Sequence, residues 1–124
     1  MVAVDSSTLI AYIQGDGAED VELFDRALAT GQAVIAPVVL TEILSEPKLP
    51  PGHRRMVLSL PVLDLLPGYW TRAAATRATV LSKRLRARLP DALIAQSCID
   101  HDVALIARDG DFRHFARYCG LKLA

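Results

Sequence analysis

Cysteine is scarce in this 124-residue chain: Cys98 and Cys119 are too few for a disulfide scaffold and lack the CxxC spacing of a zinc or redox site. Each reads as a small buried hydrophobe with no chemical role. Long apolar runs are also missing. Charge, proline or glycine interrupts every one before the roughly 18 residues a bilayer span requires, so no membrane association is expected. The amino terminus carries Asp5 where a secretory signal would carry positive charge, which points to a cytoplasmic protein. Neither G-x-x-x-x-G-K-[ST] nor G-x-G-x-x-G occurs, which leaves nucleotide binding through a glycine-rich loop unsupported. No G-x-S-x-G elbow surrounds Ser6, Ser7 or Thr8, so these residues read as a helix entry rather than a nucleophile. His53, His101 and His114 stand outside any motif and read as surface or hydrogen-bonded side chains.

Hydrophobic residues make up 52% of the chain and charged residues 23%. A chain of this length and composition is expected to form one compact domain spanning residues 1–124. Its net charge of zero conceals segregation. Residues 1–46 hold eight acids against Arg26 alone, whereas residues 47–88 hold nine bases against Asp64 alone. Such zones suit an acidic pocket for a cation beside a basic surface for a polyanion. Within the basic zone, Arg72, Lys83 and Arg86 are candidates for phosphate contacts, although a solvated helix face has the same appearance.

The pattern alternates between strand and helix. Strands are expected over 2–4, 32–36, 62–66, 103–107 and 121–123. Helices are expected after Asp5, over 19–29, from Pro37 to Pro47, over 53–60, over 69–88, from Asp91 onward and over 111–118. In the long 69–88 segment, Trp70, Ala73, Ala74, Ala78, Leu81 and Leu85 mark the expected buried face. Alternation of this kind favours a parallel sheet covered by helices on both faces.

Ligands of open parallel sheets bind beyond the carboxyl ends of the strands. Asp5 follows the first strand, Asp109 and Asp111 follow the 103–107 strand, Glu42 lies about one turn into the helix after the second, and Asp91 opens its own helix. Singly, each acid has a structural explanation as a cap, a turn residue or a solvated side chain. Together they are expected to converge. Glu42 falls between Leu40 and Ile43, near the expected buried side of its helix, where an acid is costly without a cation or a donor. Clustered carboxylates are stabilised by a hard divalent ion such as Mg²⁺ or Mn²⁺, and such an ion suits phosphoryl chemistry on nucleic acid.

The segments MVAVDSSTLIAYI, VVLTEIL, LPDALIAQSCIDHDVALIARDGDF and GLKL, in that order, resemble PIN-domain ribonucleases, and most of all the VapC-type toxins of bacterial toxin–antitoxin pairs. The resemblance spans nearly the whole chain. It implies a three-layer α/β/α sandwich with a central parallel sheet, metal-dependent hydrolysis of RNA, a homodimer, and a cognate antitoxin whose tail covers the active groove. Carried over by position, it makes Asp5, Glu42, Asp91 and Asp109 the acidic catalytic and metal-binding set, with Asp111 a further acid and Ser7 a polar support for Asp5. Ala107 departs from the family, which commonly has Thr or Ser there. The helical excursion over 38–60 is assigned to dimer or antitoxin contacts. Two alternatives stay open: a PIN-fold module that binds RNA or protein without cleaving, and a receiver-like phosphoacceptor domain, whose paired acids after the first strand and phosphorylated Asp after a middle strand are not found here.

Overall fold

The computed structural model describes residues 1–124. Short runs of β-branched and small apolar residues form three strands, β1 (Val2–Val4), β2 (Ala33–Val34) and β3 (Ala104–Ile106). They run parallel in the order β2-β1-β3, with Val2 opposite Ala33 on one side and Ala104 on the other. Parallel strands require crossover connections, here built from helices. Helices α1 (Ser6–Ile13) and α2 (Glu19–Ala29) join β1 to β2. Helices α3 (Pro37–Leu44), α4 (Pro51–Ser59), α5 (Tyr69–Ser82) and α6 (Leu89–His101) join β2 to β3, and α7 (Phe112–Cys119) follows.

Since β2 and β3 flank β1 on opposite sides, right-handed crossovers send the two helical sets to opposite faces. On one face α1 packs with α2, which reaches β2 and β3; on the other α5, α6 and α7 pack together, with α6 against β3. This is the three-layer α/β/α sandwich. Ala3, Val4, Ala33, Val34, Leu105 and Ile106 are all buried, the continuous pattern of a sheet covered on both sides. Phe24 fills the core from α2, while Val80, Ile94, Phe112 and Phe115 fill it from α5, α6 and α7. Cys98 is fully buried among them, and burial pushes its thiol up to about 12.

Four expectations need correction. The strands expected over 62–66 and 121–123 reduce to single bridges, Ile35 with Val62 and Leu105 with Leu123. Pro61 and Pro67 bracket the first and lack N–H donors, and Leu65 and Leu66 beyond it are exposed. The strand expected over 32–36 contracts to β2 because Pro37 starts α3 immediately after Ala36. The helix expected over 69–88 stops at Ser82. There the Lys83 and Arg84 amides tighten onto the Val80 and Leu81 carbonyls, and Arg84 takes a left-handed backbone conformation, φ 59°.

The buried face of α5 is also rotated from the expected one: Tyr69, Ala73 and Val80 face inward, while Trp70, Ala74, Ala78 and Leu81 are exposed. An alanine-rich helix offers little contrast between faces, and long-range contacts decide its rotation. The Tyr69 hydroxyl donates to the Leu93 carbonyl at 2.7 Å, and Arg72 forms a two-pronged ion pair with Asp100 at 3.0 and 2.5 Å. Arg72 is therefore committed to joining α5 to α6 and is not free for phosphate.

Candidate metal centre

Asp5 stands directly after β1, and its amide donates to the Ile106 carbonyl at 3.0 Å, so β1 and β3 end side by side. The chain leaves β1 toward β2 on one side and enters β3 on the other, which makes the crevice beyond β1 and β3 the topological switch point of the sheet. The loop after β3 carries Asp109 and Asp111. Because α6 runs back to the start of β3, its first turn, with Asp91, stands at the same edge. Single carboxylate oxygens of Asp91, Asp109 and Asp111 all lie within 4.8 Å of one another.

Each acid is held differently. Asp5 is 2% exposed and caps α1, with Oδ1 accepting from the Thr8 amide at 2.9 Å and Oδ2 from the Ser7 hydroxyl at 2.8 Å. Its capping role is therefore real, and Ser7 supports it as the family resemblance implies. Asp109 Oδ1 accepts from the Asp111 amide at 2.9 Å, which fixes the loop. Asp91 is the third residue of α6, after Leu89 and Pro90, and not its cap. Its Oδ2 is buried and has no hydrogen-bond partner. A cap or turn does not account for that oxygen, and an unpartnered buried acceptor carries a desolvation cost.

Electrostatics follow from this arrangement. Burial pushes the Asp91 carboxyl up to about 6, with Asp109, Asp111 and Asp5 adding repulsion and Arg88 opposing them. Burial likewise raises Asp5 above its ordinary value, against the hydrogen bonds from Thr8 and Ser7, and Asp109 adds to the rise. The four acids thus sense one another although only three meet closely. All the converging donors are carboxylate oxygens, the set preferred by hard divalent cations. Asp91, Asp109 and Asp111, each with one oxygen in this close group, are the residues that could hold such an ion.

Glu42 is placed differently from its expectation. It is exposed on α3 and lies outside the close group of three. Its Oε1 accepts from the Ser6 hydroxyl at 2.6 Å, which ties α3 to the first turn of α1 beside Asp5. Of the histidines, His101 Nε2 lies 2.8 Å from the Asp64 carbonyl and His114 Nδ1 lies 3.1 Å from the Arg86 carbonyl, so both are engaged with backbone.

Sequence reasoning missed Arg108. Its guanidinium donates to both oxygens of Asp20 at 3.0 Å and to Asp16 at 2.9 Å, and Asp20 also accepts from the Thr8 hydroxyl at 2.8 Å. The same Thr8 supplies the amide that holds Asp5. One continuous set of hydrogen bonds therefore runs from the residue preceding Asp109 to the α1 cap. The only sequence signal was the adjacency of Arg108 to Asp109, because its partners lie some 90 residues away.

No curated protein matches the chain significantly in sequence. Among solved structures, it is similar over 100% of its length to a chain of VapBC2 from Rickettsia felis bound to a DNA fragment from their promoter, with a TM-score of 0.76, 17% identity and 98% of that chain covered. It is similar over 99% of its length to a chain of FitAcB from Neisseria gonorrhoeae, with a TM-score of 0.71, 14% identity and 96% of that chain covered. A toxin–antitoxin complex from Klebsiella pneumoniae gives a TM-score of 0.65 at 23% identity, with 98% of this chain and 95% of the other covered. At such identities these likenesses establish the shared fold. The family described as PIN domain matches residues 2–118. With nearly the whole chain matched and the acids gathered at the switch point of the sheet, the chain belongs to the PIN domain family.

Proposed function

We propose that this chain is a Mg²⁺- or Mn²⁺-dependent endoribonuclease that hydrolyses RNA phosphodiester bonds and acts as the toxin of a toxin–antitoxin pair. The observation that carries this reading is the buried, unpartnered Asp91 Oδ2 within the group formed with Asp109 and Asp111. In this reading Asp5, Glu42, Asp91 and Asp109 serve the reaction, and the same four with Asp111 hold one or two ions directly or through water. A divalent ion at such a site supplies acidification of water and neutralisation of phosphate charge.

The protein's own groups set the stage for that chemistry. Ser7 and Thr8 fix both oxygens of Asp5, so its orientation needs no reorganisation when substrate arrives. Asp109 is fixed through Oδ1 by the Asp111 amide. Glu42, steadied by Ser6, stands at the rim. A hollow that Glu42 itself lines pairs the apolar side chains of Ile10, Ile13, Ile43 and Leu49 with the charged Glu46 and Lys48. Such a hollow suits the tail of an antitoxin, and the named toxin–antitoxin complex among the solved structures supports that partner.

The test is cleavage of a labelled RNA by the purified chain. Chelation with EDTA should abolish cleavage and Mg²⁺ or Mn²⁺ should restore it. Asp5→Asn should remain folded and lose at least about 100-fold in rate, as loss of one charge-stabilising group at a reacting centre does. Cleavage that survives thorough chelation, or equal degradation by Asp5→Asn and wild type, would reject the reading. A folded chain that binds RNA and metal without cutting would instead support a non-cleaving module.

A further inference from the structure

The loop over 83–88 carries Lys83, Arg84, Arg86 and Arg88 and leads straight into the first turn of α6, where Asp91 stands. Two adjacent carbonyls pin its backbone. From α5, Arg77 Nε donates to the Ala87 carbonyl at 2.8 Å, and from α7, His114 Nδ1 lies 3.1 Å from the Arg86 carbonyl. Ala87 itself is buried. Arg84, at φ 59°, occupies a backbone region that long side chains seldom adopt, and a loop holds such a residue only when its surroundings fix it. The result is a fixed backbone that presents exposed cationic arms.

Away from the loop, Arg72 and Arg108 are closed onto carboxylates at hydrogen-bond distance; on the loop, Lys83 lies over the Tyr118 ring. Arg86 differs: its Nε stands 3.6 Å from Asp111 Oδ2, and its side chain is 63% exposed. That separation is too long for a hydrogen bond, and exposed pairs of this kind contribute little. The guanidinium therefore hovers at the mouth of the acidic group without being committed to it.

We propose that Arg86, carried on the pinned 83–88 loop, seats a phosphate oxygen of the RNA strand entering the acidic group and leaves Asp111 as it does so. The proposal rests on the nuclease reading and names the residue that recognises its substrate. A planar guanidinium fork matches phosphate better than a single carboxylate oxygen at the distance seen here. Asp111 and phosphate compete for the same arm. Engagement of Asp111 by a cation leaves the Arg86 guanidinium free to face the strand.

Three measurements on wild type, Arg86→Gln and Arg86→Lys test this: anisotropy of a fluorescein-labelled single-stranded RNA in Ca²⁺ across a KCl series, Mn²⁺ binding by electron paramagnetic resonance, and Mn²⁺-dependent cleavage. Arg86→Gln should weaken RNA binding about tenfold, as expected for loss of a hydrogen bond to a charged group. The salt slope should fall by about 1. Mn²⁺ affinity should be equal to or tighter than wild type, since Asp111 is released, and Arg86→Lys should recover the slope but only part of the affinity. If wild type binds RNA and Mn²⁺ but does not cleave, the nuclease reading fails, while a weakened Arg86→Gln complex still supports the phosphate seat. Wild-type RNA affinity and salt slope in Arg86→Gln, or a loss confined to Mn²⁺ binding, would overturn the assignment of Arg86.

Discussion

At Asp91 the fold holds a carboxyl group against its ordinary ionisation. Its pKa stands at about 6 against 3.8 for the free side chain, first through burial and then through Asp109. Between these two values the folded state binds the proton that the unfolded chain has released, so stability falls as pH rises through that window and does not recover above it. Asp5 acts in the same direction. Asp20 and Asp100 act oppositely: hydrogen bonds from Arg108 and Arg72 lower their values, and their contribution is lost only on stronger acidification. The metal-free protein should therefore show a lower Tm at pH 7 than at pH 5. Asp91→Asn should flatten that difference and raise Tm at pH 7. Adding Mn²⁺ at pH 7 should raise the wild-type Tm more than that of the variant. Parallel Tm profiles for the two proteins in differential scanning calorimetry would show that Asp91 is not the strained group.

Elements act on the site through their ends. Arg108 closes the end of β3 onto α1 and α2 through Asp16, Asp20 and Thr8, and so fixes where the Asp109 loop begins. As an exposed network it contributes little to global stability. Groups that orient metal ligands nevertheless matter to metal affinity by about 10- to 100-fold. Arg108→Gln should leave Tm nearly unchanged and weaken Mn²⁺ binding about tenfold by isothermal titration; unchanged Mn²⁺ affinity would confine Arg108 to a surface role. The same elements show what the sequence could and could not reveal. β1, α2, α3 and α7 were legible because a β-branched run, a 3.6-residue period or a proline at a helix start marks each one locally. So were the positions of Asp5, Asp91, Asp109 and Asp111, because an acid just after a parallel strand, or in the first turn of the helix leading to one, has only one edge to occupy. The rotation of α5 was not legible, since it depends on Tyr69 meeting Leu93 and Arg72 meeting Asp100 more than 20 residues away. Nor was the exposure of Glu42, whose apolar neighbours Leu40 and Ile43 suggested burial while Ser6 holds it at the surface.

Across the whole molecule, topology accounts for both the site and the surfaces around it. The order β2-β1-β3 opens one crevice at the switch between β1 and β3, where Asp91 from the first turn of α6 meets Asp109 and Asp111 from the loop after β3. Large apolar side chains also reach the surface: Leu58 on α4 is 54% exposed and Trp70 on α5 is 64% exposed, and Leu65 and Leu66 are also exposed. Leu65 and Trp70 line one hollow, and a contiguous exposed apolar patch of that kind marks a contact with another chain. For the proposed homodimer, with 38–60 assigned to dimer or antitoxin contacts, Leu58→Glu should shift the mass seen by light scattering toward one protomer. An unchanged dimer mass would move the contact elsewhere.

Asp91, Asp109 and Asp111 are the proposed seat of a divalent cation. The most direct measurement is anomalous diffraction from crystals soaked in Mn²⁺. A peak is expected among the carboxylates of Asp91, Asp109 and Asp111 that disappears in Asp91→Asn; a well-diffracting soaked crystal with no peak there, or with one that persists unchanged in the variant, would show that these acids do not hold the ion.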